Sequence, residues 1–142
     1  MDWKDKMIFV SAQPDVPYFH WQCEVYLNNF IDMGIPKENI HVLFAIVKNA
    51  TELSKGANQL KKYTPNVFGY MDNRDKKHYI PSIKPYLIYE WIKQDPKRGE
   101  LFLLHDSDIV FNYLPDFSNL INDDIIYMSD TRGYIDFNYL MD

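Results

Sequence analysis

The sequence is poor in the residues that define several protein classes. Its 142 residues include one cysteine, Cys23, so no disulfide can form within the chain and no cysteine pair is present for a zinc knuckle. A lone cysteine on the apolar face of a predicted helix is expected to fill the core. The five glycines are scattered, and no Gly-x-Gly-x-x-Gly follows the first predicted strand. That absence disfavours a dinucleotide-dependent oxidoreductase.

Basic stripes and long apolar runs are also missing. The formal net charge is −5, and lysines gather only in pairs such as Lys61-Lys62, which argues against a nucleic-acid polymer as partner. No apolar run approaches the ~20 residues that span a bilayer. The first residues lack a cleavable signal pattern. We therefore expect a cytoplasmic protein without a membrane span.

Apolar and aromatic residues are plentiful, at 46% and 16% of the chain. This content predicts a packed core. The length predicts one domain over residues 1–142.

Short apolar runs alternate with segments of helical periodicity. Strands are predicted at residues 7–11, 40–47, 67–71 and 101–104, with a fifth at 124–128. One helix should follow Pro17 and end before Gly34, a second should open at a capping box of Asn49 and Glu52, and a third should include Leu87 and Trp91. The alternation predicts an α/β fold, a Rossmann-like three-layer sandwich with a mostly parallel central sheet.

Polar segments follow the predicted strands, where ligands collect in open α/β sheets. They are residues 11–13 (Ser-Ala-Gln), 48–49, 72–74 (Asp-Asn-Arg) and 105–108 (His-Asp-Ser-Asp). Asp106 and Asp108 would point to the same side of an extended chain and would repel each other unless a cation lay between them. A hard divalent cation, Mn²⁺ or Mg²⁺, suits these oxygen ligands. The alternative is a simple turn, but Ile109-Val110-Phe111 returns the chain to the interior and favours the metal site.

An apolar strand ending in Asp-x-Asp and followed by apolar residues resembles the metal motif of glycosyltransferases with the GT-A fold. The resemblance implies a nucleotide-sugar-binding domain that moves a sugar from a UDP- or GDP-sugar to an unidentified acceptor. It implies that Asp108 binds the metal and that Asp106 reaches the donor ribose or a metal-bound water. It further implies that Ser11, Ala12, Gln13 and Ser107 line the nucleotide, with Asp72 near the base or ribose.

Residues after the predicted fifth strand extend this expectation. Asp130 and Arg132 would contact the donor sugar or diphosphate, although a surface salt bridge explains them equally well. The family usually takes a further metal ligand, often histidine, from a later segment, and no histidine follows His105. The chain therefore resembles a C-terminally truncated glycosyltransferase, and no catalytic base can be named.

Two other functions stay open at this point. A haloacid dehalogenase-like phosphatase would use Asp106 as nucleophile, although that family has its motif on the opening strand. A non-catalytic binding or assembly module could keep the nucleotide-sugar fold without turnover. His41 and His105 are interpreted as structural residues, and Trp21 and Trp91 as core residues on helical faces.

Overall fold

The computed structural model describes residues 2–47, 49–121 and 125–128 of the chain. In this part of the chain, strands and helices alternate. The strands are β1 (Ile8–Pro14), β2 (Ile40–Ile46), β3 (Val67–Met71) and β4 (Phe102–His105). The helices of more than one turn are α1 (Pro17–Asp32), α2 (Lys55–Gln59) and α3 (Ile83–Gln94).

The four strands form one sheet in the order β3-β2-β1-β4, and every neighbouring pair is parallel. Phe9 of β1 pairs with Ile40 on one side and with Leu103 on the other. All seven residues of β2 are buried, as expected for a strand that is covered on both faces. The predicted α/β fold with a parallel sheet is confirmed.

The sheet separates two hydrophobic clusters, because successive side chains of a strand point to opposite faces. Phe9 and Phe44 face α1 and α2, where they pack with Tyr26 and Phe30. The opposite face, covered by α3, carries a second cluster that includes Val10, Leu43, Leu87 and Trp91. Burying each large side chain contributes roughly 1.5–3 kcal/mol. The result is a Rossmann-like three-layer sandwich.

The predicted end of the first helix is confirmed. Helix α1 ends at Asp32, and Gly34 adopts φ +82°, the left-handed conformation that glycine favours after a helix. Helix α3 begins at Ile83, so Pro85 lies in its first turn, where a missing N–H costs no intrahelical hydrogen bond.

The predicted start of the second helix is wrong. Asn49 and Glu52 do not cap it, and both are exposed. Helix α2 begins at Lys55, and Ser54 is its N-cap, with its Oγ accepting a hydrogen bond from the Ala57 N–H at 3.2 Å. Asp15 holds Ser54 in place, a long-range contact that a local capping pattern does not contain.

The predicted fifth strand at 124–128 is also wrong over its described residues. Residues 125–128 form no strand, and Ile126 and Met128 are 90% and 88% exposed. A β-prone run becomes a strand only where a neighbouring strand supplies hydrogen bonds and an apolar face covers it. Asp130 and Arg132 lie outside the described residues.

None of the helices in the described ranges is long and apolar enough to cross a membrane.

Candidate functional site

The strand order creates a switch point beside β1. The chain passes from β1 outward to β2 and β3, and α3 then brings it back to β4 on the other side of β1. The connections that follow β1 and precede β4 therefore diverge, and a crevice opens beyond the carboxyl ends of these two strands. Such crevices are where open α/β sheets bind ligands.

A cleft of about 440 Å³ occupies this position. Its floor is the end of β1, residues 12–14, and one wall is the start of α1, with Tyr18, Phe19 and Gln22. Residues 80–84 at the start of α3 contribute along with residues 106–108, the loop that follows β4. The cleft therefore joins segments far apart in sequence, and it is large enough for a small-molecule ligand.

The chain turns at residues 106–108, although the sequence predicted an extended conformation there. Strand β4 ends at His105, and Ser107 and Asp108 lie in a turn. Ser107 is buried and donates a hydrogen bond from its Oγ to Gln22 Oε1 at 2.6 Å, while Asp106 and Asp108 are exposed. The buried serine anchors the loop on α1, and the two carboxylates remain at the surface of the cleft.

The chain after the loop is anchored as well. Phe111 N–H donates to Asn29 Oδ1 at 2.7 Å, and Asn29 Nδ2 donates to the Phe111 carbonyl at 3.0 Å. Ile109 and Phe111 pack against the core on the α1 side. Two side chains of one helix, Gln22 and Asn29, thus hold the loop at Ser107 and the chain just after it at Phe111.

Asp106 has a cationic partner, Lys84. The ammonium group of Lys84, in the first turn of α3, forms an ion pair with Asp106 Oδ1. Both side chains are about half exposed, at 45% and 58%. In the protein alone, the positive charge beside Asp106 is that of Lys84.

Gln13 carries an unpaired acceptor in the floor of the cleft. Its Nε2 donates to the Leu43 carbonyl at 2.8 Å, which fixes the orientation of the amide. Its Oε1 is buried and has no hydrogen-bond partner among the described residues. An unpaired buried acceptor is costly, and this oxygen is shielded from solvent.

The structure brings together five of the predicted site residues. Ala12, Gln13, Asp106, Ser107 and Asp108 line the same cleft. Ser11 does not, because β1 continues to Pro14 and places Ser11 in mid-strand. There its hydroxyl forms a 2.7 Å hydrogen bond with Tyr26 OH in the core.

Asp72 is likewise not among the residues that line the cleft. Its carboxylate forms a bidentate pair with Arg74, at 2.8 Å to Nε and 2.9 Å to Nη2. Arg74 also donates to the Tyr79 carbonyl and to Ser82 Oγ. The guanidinium holds the pKa of Asp72 below its ordinary value. The pair braces the loop between β3 and α3.

A buried carboxylate, that of Asp15, follows β1. It accepts hydrogen bonds from the Ser54 N–H at 2.7 Å and the Ser54 hydroxyl at 2.6 Å, and its Oδ1 lies 2.7 Å from His20 Nε2. A catalytic triad would place serine and aspartate on opposite nitrogens of the imidazole. Here both approach Nε2, and Gly56 packs so closely on the ring that a Cβ would collide with it. This group joins α1 to α2 structurally.

Three ionisable side chains are buried in the core. Burial lowers the pKa of His105 to about 3, and its ring packs between Tyr26 and Phe30. Burial raises the pKa of the Cys23 thiol to about 12, which makes it an unreactive core residue. His41 is buried against Trp91, whose Nε1 donates to it at 3.1 Å. These structural interpretations are confirmed, as is that of Trp91, but Trp21 is 55% exposed and is not a core residue.

Sequence reasoning missed Lys84 and Gln22. Neither belongs to a motif, and each meets the loop only through the packing of its helix. The one signal that was present is the location of Lys84, directly after a polar loop and at a helix start, where its side chain can reach a strand end.

The described residues contain no group of three or more histidine, cysteine or acidic side chains arranged around a single point. The cleft does offer two exposed carboxylates. That number suits Mg²⁺ or Mn²⁺, which proteins often hold through one or two carboxylates while phosphate oxygens and waters complete the shell.

Comparisons with models of known protein families, with curated proteins and with solved structures found no match to this chain.

Proposed function

We propose that the cleft binds a nucleoside diphosphate sugar together with a divalent cation, and that the chain is the donor-binding part of a glycosyltransferase. The observation that carries this proposal is the position of Asp106 and Asp108 at the switch point of the sheet, in one cleft with the end of β1. Both the Asp-x-Asp motif and the ligand-binding edge of an α/β sheet favour a nucleotide site.

The oxygen atoms that the cleft offers as ligands support binding of a divalent cation. Asp106 and Asp108 would hold Mn²⁺ or Mg²⁺ through oxygen, the ligand type that these hard cations prefer. The bound cation would supply Lewis-acid stabilisation of the negative charge on the departing diphosphate. The chain itself keeps the two carboxylates in place by anchoring Ser107 on Gln22 and Phe111 on Asn29.

Other groups of the cleft suit the remaining parts of such a ligand. The exposed ring of Tyr18 lies at the wall of the cleft and offers a surface on which a base or sugar ring can stack. Gln13 also lines the cleft, but its unpaired Oε1 is shielded from solvent, so a ligand would reach it only after a change of rotamer. No described residue of the cleft is assigned as catalytic base, and the acceptor remains unidentified.

The proposal is tested by calorimetric titration of UDP and GDP in the presence of Mn²⁺ and, separately, of a chelator. We expect binding that depends on the metal and that Asp108→Ala abolishes, while the unfolding midpoint stays unchanged because Asp108 is exposed. Asp116→Ala, which removes an exposed carboxylate elsewhere, is the matched control and should bind as the wild type does.

Equal binding with Mn²⁺ and with chelator, or none in either, would contradict the proposal. Release of phosphate from an aryl phosphate, lost in Asp106→Asn, would instead favour the phosphatase function. Nucleotide binding without metal dependence, hydrolysis or transfer would favour a binding module.

A further inference from the structure

The ion pair between Lys84 and Asp106 occupies the carboxylate that the metal would use. A divalent cation at Asp106 would meet the ammonium group of Lys84 at close range, and two cations that share one carboxylate repel each other. Metal binding at this site therefore displaces the Lys84 ammonium group from Asp106, either into solvent or to another anion.

The surroundings of Lys84 allow such a movement. Its backbone is held, because the preceding Ile83 is buried in the core between α3 and the sheet. Its side chain is 45% exposed and lines the cleft, and lysine carries its charge on a flexible four-carbon stem. The ammonium group can change partner without any change in the fold.

The second anion would come from the ligand of the cleft. Lys84 and residues 106–108 line the same cleft, so a diphosphate bound beside the cation would lie within reach of the ammonium group. The N–H groups at the start of α3 do not form this site, because the Ile83 N–H donates to the Ile80 carbonyl in the preceding 3-10 turn and Pro85 has no N–H. The phosphate contact is therefore assigned to the Lys84 side chain alone.

We propose that Lys84 exchanges between two anions. It neutralises Asp106 in the absence of nucleotide, and it pairs with the phosphate of a nucleoside diphosphate when a divalent cation binds at Asp106. This inference rests on the proposed function and adds to it a residue that couples metal binding to nucleotide binding. Lys84 disfavours metal without nucleotide and favours the two together.

The test compares Lys84→Met with the wild type in two titrations at low ionic strength, where exposed charges are least screened. In the first, Mn²⁺ alone is titrated and followed by electron paramagnetic resonance. We expect about fivefold tighter Mn²⁺ binding in the variant, because an exposed ion pair no longer competes. In the second, UDP and GDP are titrated at saturating Mn²⁺, and we expect roughly tenfold weaker binding through loss of a charge-assisted phosphate contact.

Two further variants serve as controls. Lys93→Met removes an exposed lysine from the same helix, where the side chain lies over the Tyr89 ring and outside the cleft, so both affinities should match the wild type. Lys84→Arg keeps the charge and should retain the weak Mn²⁺ binding and the strong nucleotide binding. Thermal unfolding of all variants checks that the fold is unchanged.

Tighter Mn²⁺ binding together with weaker nucleotide binding in Lys84→Met distinguishes exchange from a merely structural role. Loss of a structural residue would weaken both affinities. Tighter Mn²⁺ binding with unchanged nucleotide binding would overturn the transfer to phosphate, and unchanged Mn²⁺ binding would overturn the competition at Asp106. A wild-type protein that binds no nucleotide with Mn²⁺ would contradict the proposed function. A wild type that binds it, beside a Lys84→Met variant that behaves identically, would contradict the exchange alone.

Discussion

Acidic residues follow the carboxyl ends of three strands of this sheet, but their carboxylates serve two different purposes. After β1 and β3, Asp15 and Asp72 are nearly buried, and their oxygens are engaged by Ser54 and Arg74 respectively. After β4, Asp106 and Asp108 are exposed, and the partner of Asp106 is a half-exposed lysine. The first two hold elements together, whereas the last two lie at the surface of the cleft.

The difference shows that an acidic residue at the ligand-binding edge of a sheet is not by itself evidence of a site. Sequence position put Asp72 and Asp108 in equivalent places, each after a strand. What separates them is whether neighbouring side chains already satisfy the carboxylate. The comparison can be tested by changes that remove either the structural partners or the anchors of the exposed loop.

The largest effect is expected from Asp15→Ala. The substitution removes the acceptor for the N–H and hydroxyl of Ser54 and the partner of His20, so the free energy of unfolding should fall by about 3 kcal/mol in urea denaturation. Asp106→Ala should leave the midpoint unchanged, because an exposed pair with lysine contributes little. Equal losses in the two variants would refute the distinction between structural and available carboxylates.

Arg74→Met should lower the free energy of unfolding by about 2–3 kcal/mol, since it leaves the nearly buried Asp72 carboxylate without its partner.

The pair of Arg74 and Asp72 also predicts that stability depends on pH. Arg74 lowers the pKa of Asp72. The stabilisation that the pair contributes is therefore complete above pH 3.8, the ordinary pKa of an aspartate, and it is lost as the pH falls through the lowered pKa. The variant should lack this loss in acid, and Lys76→Met, an exposed change in the same loop, should retain it.

Acidification should destabilise the α3 side of the sheet through His41. Burial, reinforced by the charge of Arg98, lowers the pKa of His41 to about 4, so the fold favours the neutral ring. That contribution is present above pH 6.5 and falls away toward pH 4, a loss of roughly 2 kcal/mol between pH 7 and pH 5. His41→Gln should roughly halve the pH dependence of urea unfolding over this range, because the buried His105, whose pKa is about 3, contributes a similar loss. An unaltered slope would show that another group is responsible.

The smallest effect on stability is expected from Gln22→Leu, about 1 kcal/mol, through loss of the hydrogen bond to Ser107. Its effect on nucleotide affinity should be larger, because the loop that carries Asp106 and Asp108 loses its anchor on α1. Gln59→Leu on the exposed face of α2 is the control. A Gln22→Leu protein that binds Mn²⁺ and UDP as tightly as the wild type would show that Ser107 does not position the loop.

Much of the local structure could be predicted from residue patterns. The β3 bounds of 67–71 and the end of α1 before Gly34 agree with the structure, since burial periodicity and glycine conformation are local properties. The predictions of the start of α2 and of a strand over residues 125–128 are wrong, because both features depend on distant partners. Ser54 needed Asp15, and residues 125–128 would have needed a neighbouring strand.

Residues 103–111 show which features the sequence determines and which depend on the tertiary structure. The sequence alone determined that an apolar strand there ends in two carboxylates and that the chain then returns to the core, because alternation between apolar and polar residues reflects burial. Only the tertiary structure decided that the run lies beside β1, that Ser107 is buried on Gln22 and that Lys84 meets Asp106. These contacts join residues 22 to 94 positions apart in the sequence, and they depend on strand order and helix packing, which local patterns do not encode.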